Sequence, residues 1–415
     1  MIVSKSQLKQ IKDQLEIAAT FGVDTSDVDD FLFEEDVDEL PDEMQIDSIC
    51  LTFPDDIDFT DVPIEEFVVY MTEIGSIKRL DRKTVLTDHI SQTVISSSHK
   101  GYSAFDDKLR SFTFKGEGIE AQILDRPFLI GLMNAKEKLY DEDFGFGACE
   151  PYTAIEIRSK DQLDGRIVEE LVERICFYLS KRLGVGVYPT EIADFSEFYY
   201  RIDEFYDEEV DDEEYNVDIS SIPGYSSLLR MYRLAKSIED PEIQFLQYYK
   251  ILENVSKNVA KKIAYDTISN NLDSLNHVEE DSSNLDVILS IFKQYDANNK
   301  DEALPVVVLE HCTDSFKVFE MMPIRLKNHL KSILCVENSE LNEEVLSEDQ
   351  KVSMMKQMAK ILYSTRNRIV HAKLNYVSKG IEINDDELEE ANEMMSEIAA
   401  SIIKWNFCQV DGFRI

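Results

Sequence analysis

The chain has 415 residues, 83 Asp/Glu against 43 Lys/Arg, and a formal charge of -40. A hydrophobic content of 43% excludes a disordered chain. The opening residues lack the basic-then-apolar order of a signal peptide, and no apolar run approaches the roughly 18–20 residues of a membrane span. The expectation is a cytoplasmic protein of two domains that does not enter a membrane.

The first half reads as mixed α/β. Residues 4–20 form an amphipathic pattern with Leu8, Ile11 and Leu15 on one face. Between Asp13 and Ile77 there are 21 Asp/Glu and no Lys or Arg. Ser48–Phe53 and Phe67–Met71 read as strand-like runs. Phe112–Phe114 and Ile119–Ile123 read as two strands around a glycine-containing turn, and Pro127–Met133 as a further apolar run. Tyr152–Ile157 alternates as a strand, in which Glu156 and Arg158 read as a solvent-facing pair; they only weakly suggest a metal nuclease. Asp161–Leu183 reads as a helix closed by Gly184. The run Asp203–Asp218 holds ten Asp/Glu and no Lys or Arg, and marks a boundary. Such acidic surfaces repel nucleic acid over about 8–10 Å; they read as a solvated face, or as a docking surface for a basic partner or a mimic of nucleic acid.

Beyond the boundary the chain turns helical. Asp240-Pro241 is a start signal, followed by Phe245, Tyr248, Leu252, Val255, Val259 and Ile263 at three- and four-residue steps. Leu285–Tyr295 and Ile324–Cys335 give shorter helical patterns. Ser347–Gln350 and Asn384–Glu387 have capping-box form and open the last two helices. The fold class expected is α+β, a mixed α/β domain at 1–218 followed by an all-α bundle at 219–415. Neither the six scattered cysteines nor the loop 296–301 nor Gly145–Ala148 makes a disulfide frame, metal site or phosphate loop, so no metal or cofactor is expected.

One segment departs from the acidic background. Lys351–Gly380 holds seven Lys/Arg and no Asp or Glu. Within it Arg366, Asn367 and His371 follow an apolar stripe of Val352, Met355, Ala359 and Leu362. On this spacing Arg366 falls on the buried stripe, while Asn367 and His371 share the neighbouring face. A histidine can take a 2′-hydroxyl proton, an arginine fork can stabilise the phosphate attacked, and an asparagine can orient either. Arg368, Lys373 and Lys379 are candidates for RNA backbone contacts, and Tyr363 and Tyr376 for base stacking.

The stretch Leu362–Lys373 resembles the signature helix of the HEPN superfamily, in which Arg is followed by four to six residues and then His. Ile243–Glu253 resembles an early helix of its Apea-like branch. The resemblance covers just under half of the chain. It implies a HEPN-like helical bundle, a homodimer through the 347–372 helix, and metal-independent endoribonuclease activity on RNA, tRNA among the candidates. The expected products are 2′,3′-cyclic phosphate ends. It implies a role in bacterial anti-phage defence, abortive infection or a toxin system, with Arg366, Asn367 and His371 as the site. The acidic half would then be a sensor or restraint that receives a basic protein or a phage-derived trigger. The competing expectation is a non-catalytic dimerisation module whose acidic half captures a basic partner.

Overall fold

A computed structural model gives the fold, describing residues 2–25, 43–56, 58–97, 109–140, 147–150, 152–191, 214–275, 289–290, 293, 295, 303–334, 346–371 and 377–415. The class is α+β, and the chain divides into two compact units, 1–222 and 223–415. The acidic residues 26–42 and 203–213, the pattern at 285–288 and the loop 296–301 lie outside the described residues.

The first unit runs β1 (Ile2–Ser4), α1 (Lys5–Ala19), β2 (Glu43–Gln45), β3 (Ser48–Leu51), β4 (Thr60–Pro63), α2 (Ile64–Glu73), β5 (Lys78–Arg79), β6 (Thr84–Leu86) and β7 (Ile90–Ser97). It continues with β8 (Phe112–Gly116), β9 (Ile119–Asp125), α3 (Phe128–Glu137), β10 (Thr153–Ser159), α4 (Gly165–Leu183), β11 (Val187–Pro189) and β12 (Tyr215–Asp218). One sheet carries the order β12-β8-β9-β10-β7-β6-β5, with β11 also paired to β7. All its pairings are antiparallel except β12 on β8. Strand alternation assigns the two faces. Ala154 joins one core with Leu8, Phe67 and Phe128 from α1, α2 and α3. Phe112 and Phe114 point the other way, where Tyr178 of α4 packs edge-on against both rings.

Two expectations are corrected here, and one run gains its element type. Phe67–Met71 is helical, within α2; Phe67, Tyr70 and Met71 recur on one helical face, which a four- or five-residue window cannot separate from a strand. Pro127–Met133 opens the helix α3, buried from Phe128 to Ala135, so it has no polar face from which a period could be read. Glu156 does not face solvent. It is fully buried and accepts from Tyr70 Oη (2.6 Å), Gln92 Nε2 (2.7 Å), Gln122 Nε2 (3.2 Å) and Arg158 Nε (2.7 Å). Arg158 reaches on to Glu66 of α2, and Gln92 Oε1 accepts the Leu129 and Ile130 N–H groups at the start of α3. This network ties three strands to two helices.

The second unit is helical: α5 (Ser227–Lys236), α6 (Pro241–Leu275), α7 (Leu304–Cys312), α8 (Ser315–Glu320), α9 (Ile324–Leu334), α10 (Glu348–His371) and α11 (Leu388–Phe407). Asp240 caps α6 as expected, accepting the Glu242 and Ile243 N–H groups at 2.9 and 3.0 Å. Both capping boxes form: Ser347 exchanges hydrogen bonds with Gln350, and Asn384 with Glu387. The long helix α6 buries Phe245, Tyr248, Leu252, Val255 and Val259, and packs against α5, α7, α10 and α11. Leu388, Ala391, Met395, Ile398 and Ile402 of α11 are buried, and Tyr232 of α5 is hydrogen bonded to Ser396 at 2.7 Å.

Candidate functional site

The site is built on the last two turns of α10. Its buried stripe runs Met354/Met355, Met358/Ala359, Ile361/Leu362 and then Ser364/Thr365. The middle of the expected stripe holds, with Met355, Ala359 and Leu362 buried, but its two ends do not: Val352 is exposed, and Thr365 rather than Arg366 continues the buried face. The reason is local. The Thr365 hydroxyl donates to the Ile361 carbonyl (2.9 Å) and accepts the Ile383 N–H (3.0 Å), so its polarity is satisfied at full burial. Arg366 then sits at the stripe's edge, with its side chain 30% exposed. An arginine there keeps its charge partly in water, which a core position would deny it.

Arg366 Nη1 donates to Asn367 Oδ1 at 3.1 Å, and Nη2 lies 3.4 Å from Glu253 Oε1 of α6. Tyr363, Asn367 and His371 follow one another at four-residue steps along a single face, exposure rising to the open His371. Arg366 and Asn367 are thus brought into contact, while His371 stands one turn further on, with no hydrogen bond or ion pair among the described residues. The neighbouring Val370 is also exposed.

Arg368 is held internally, by Asp385 and, at 3.9 Å, by Glu242 at the start of α6. Lys379 is exposed, and its backbone N–H donates to Glu382 Oε1 at 2.6 Å. Lys373 and Tyr376 lie outside the described residues. Sequence reasoning missed Glu253, Thr365, Glu382 and Arg325. Glu253, Thr365 and Arg325 all lay in segments whose helical pattern was read, but nothing in the spacing of Glu253 announces a partner more than a hundred residues away. Arg325, on α9, donates to Glu387 through Nε (2.9 Å) and Nη2 (2.6 Å), and through Nη2 to the Glu382 carbonyl (2.7 Å). These bonds raise the Arg325 pKa above its ordinary value. Burial works against the Glu387 charge, but Arg325 and the Asn384 N–H outweigh it and hold that carboxyl below its ordinary value.

Elsewhere, a cavity of about 210 Å³ opens between α1 and α2, lined by Val3, Gln7, Ile11, Ile64 and Val68 among others. It belongs to the first unit and carries no acid–base pair. Among the described residues no group of three or more His, Cys, Asp or Glu could hold a metal ion, and Cys50, Cys149, Cys176, Cys312 and Cys408 form no disulfide with one another. No helix among the described residues is long and apolar enough to cross a membrane.

The second unit is thus an α-helical bundle that displays an Arg-Asn pair and an open histidine at the end of one helix. Residues 228–404, wholly within it, match a family model described as methylamine utilization protein MauJ. The match covers α6, α10 and Arg366–His371, and leaves the first unit without a counterpart. Comparison with curated proteins and with solved structures gives no match.

Proposed function

We propose that the chain is a metal-independent endoribonuclease of the HEPN type, with Arg366, Asn367 and His371 as its reacting group. The observation that carries this reading is a guanidinium oriented by Asn367, with an open imidazole one helical turn beyond it. His371 takes the proton from a ribose 2′-hydroxyl, and the freed oxygen attacks the adjacent phosphorus. The bond to the 5′-oxygen breaks, that oxygen leaves with a proton returned by an imidazolium or water, and a 2′,3′-cyclic phosphate remains. Arg366 stabilises the extra charge on the phosphoryl oxygens, and Asn367 fixes its orientation. Glu253 is about half exposed, so its pairing with Arg366 is weak and a phosphate displaces it at little cost.

Under this reading the protein acts in the cytoplasm, as a homodimer through α10, in bacterial anti-phage defence or a toxin system. The acidic first unit restrains the basic segment until a trigger engages it. The test uses the purified full chain with total RNA and tRNA. Cleavage should persist in excess EDTA, leave cyclic phosphate ends, and fall about 10²–10⁴-fold in His371→Ala. Cleavage that is unchanged in both His371→Ala and Arg366→Ala would sink the assignment.

A second reading has its own support. Internal carboxylates already meet Arg366 and Arg368, and the family matched is described by methylamine utilization rather than by a nuclease. Here the helical unit is a non-catalytic dimerisation module serving such a system, and the acidic unit captures a basic partner. Both variants would then keep full biological effect while folded.

A further inference from the structure

The segment that returns from α10 to α11 is pinned alongside the two helical turns that carry Arg366 and Asn367. Ile383 N–H is held by Thr365, the residue before Arg366. Asp385 is paired with Arg368, and Glu387 and the Glu382 carbonyl are both held by Arg325. Inside this frame residues 378–382 close a tight turn. The Glu382 carboxylate accepts from Ser378 Oγ (2.8 Å) and the Lys379 N–H (2.6 Å), and Gly380, at φ +72, takes the left-handed conformation that favours glycine.

The charge placement is one-sided. Glu382 is the first acid in the sequence after α10, and it is 4% exposed. Of the four acids at 382, 385, 386 and 387, Glu382 and Glu387 are turned inward, onto the turn and onto Arg325, while Asp385 is neutralised by Arg368 although its side chain is 78% exposed, and Asp386 is exposed. The exposed Lys379 is left at the head of the turn. A turn whose one acid is buried and whose lysine faces outward is arranged for a polyanion.

We propose that Arg325 is a positioning residue for RNA. By holding Glu387 and the Glu382 carbonyl, it sets the 378–382 turn so that Lys379 meets a phosphate beside the end of α10. This rests on the RNA reading above and adds a residue on a different helix from the site. Glu382 is the second half of the device, because its burial both closes the turn and removes a repelling charge.

The experiment measures binding of a fluorescein-labelled, mixed-sequence single-stranded RNA to the full chain carrying His371→Ala, which stops cleavage during the measurement. Lys379→Gln should weaken binding several-fold and lower the salt slope by about one. Arg325→Gln should weaken it similarly, with Arg325→Lys between. The combined Arg325→Gln/Lys379→Gln chain should bind no worse than Lys379→Gln alone, because Arg325 acts through the turn. Hydrogen exchange of the 379–383 amides should speed up in Arg325→Gln and not in Lys379→Gln. Equal losses from Arg325→Gln with and without Lys379 would overturn the proposal, as would unchanged exchange in a folded Arg325→Gln chain. RNA binding without cleavage in the parent protein removes the nuclease reading and leaves this proposal standing, whereas no RNA binding at all removes both.

Discussion

At the scale of single residues, two carboxylates in the first unit show opposite ways of living with burial. Glu156 is fully buried and meets four donors. Its replacement by Ala leaves Arg158, Gln92 and Gln122 short of an acceptor inside the protein. The expected cost is about 3–5 kcal/mol, read from chemical denaturation, with Glu156→Gln milder. Asp56 is less well compensated. Its Oδ1 accepts the Cys149 and Glu150 N–H groups, while Oδ2 is enclosed without a partner among the described residues. The close approach needs Gly147, where an added Cβ would fall 1.8 Å from Asp56 Oδ1. Burial is the main cause that pushes the Asp56 carboxyl up to about 6 from 3.8, with Glu150 adding to it and the two backbone N–H groups and Arg126 opposing. Between pH about 4 and 6 the folded protein therefore holds a proton there that the unfolded chain has released. The associated stability is full at low pH and is lost as pH rises from about 4 through 6. Asp56→Asn keeps the acceptor and removes the charge. It should flatten that part of the stability–pH curve and stabilise the protein at neutral pH by on the order of 1 kcal/mol after allowance for solvent screening.

At the scale of elements, α10 shows how far periodicity reaches. Its extent and its capping box were legible, because Ser347–Gln350 satisfy each other locally and the apolar residues recur along the helix. The expected face holds at Met355, Ala359 and Leu362 and fails at its ends; at the C-terminal end this is because threonine looks polar in sequence but is buried when its hydroxyl is bonded at both ends. Thr365→Val should therefore destabilise the protein by about 1–2 kcal/mol, the cost of leaving the buried Ile383 N–H unpaired. A melting temperature equal to that of the parent would contradict this. The Arg325–Glu387 pair gives a pH prediction of the opposite sign to Asp56. With its carboxyl held below the ordinary value, Glu387 contributes stability above that value, and the contribution is lost as pH falls below it. Glu387→Gln should remove this acid-side loss.

At the scale of the whole molecule, the charge is divided between two units with different folds. A chain with 21 Asp/Glu and no Lys or Arg from 13 to 77, and seven Lys/Arg without an acid from 351 to 380, carries its restraint and its anion site in separate units under the nuclease reading. A chain beginning at residue 223 should then cleave RNA faster than the full protein, or be more toxic when expressed. A folded but inert fragment would count against restraint by the acidic unit.

The sequence by itself determined the α+β class, the helical character of the second unit, the caps of α6, α10 and α11, and the placing of Arg366, Asn367 and His371 at the end of a helix. Each of these depends on interactions within a few residues, which spacing records directly. Only the tertiary structure decided that Glu156 is buried, that Thr365 displaces Arg366 from the core face, and that Glu253 and Arg325 stand behind the site. Those partners come from strands and helices distant in the chain, and a hydrogen bond across such a separation leaves no period in one sequence.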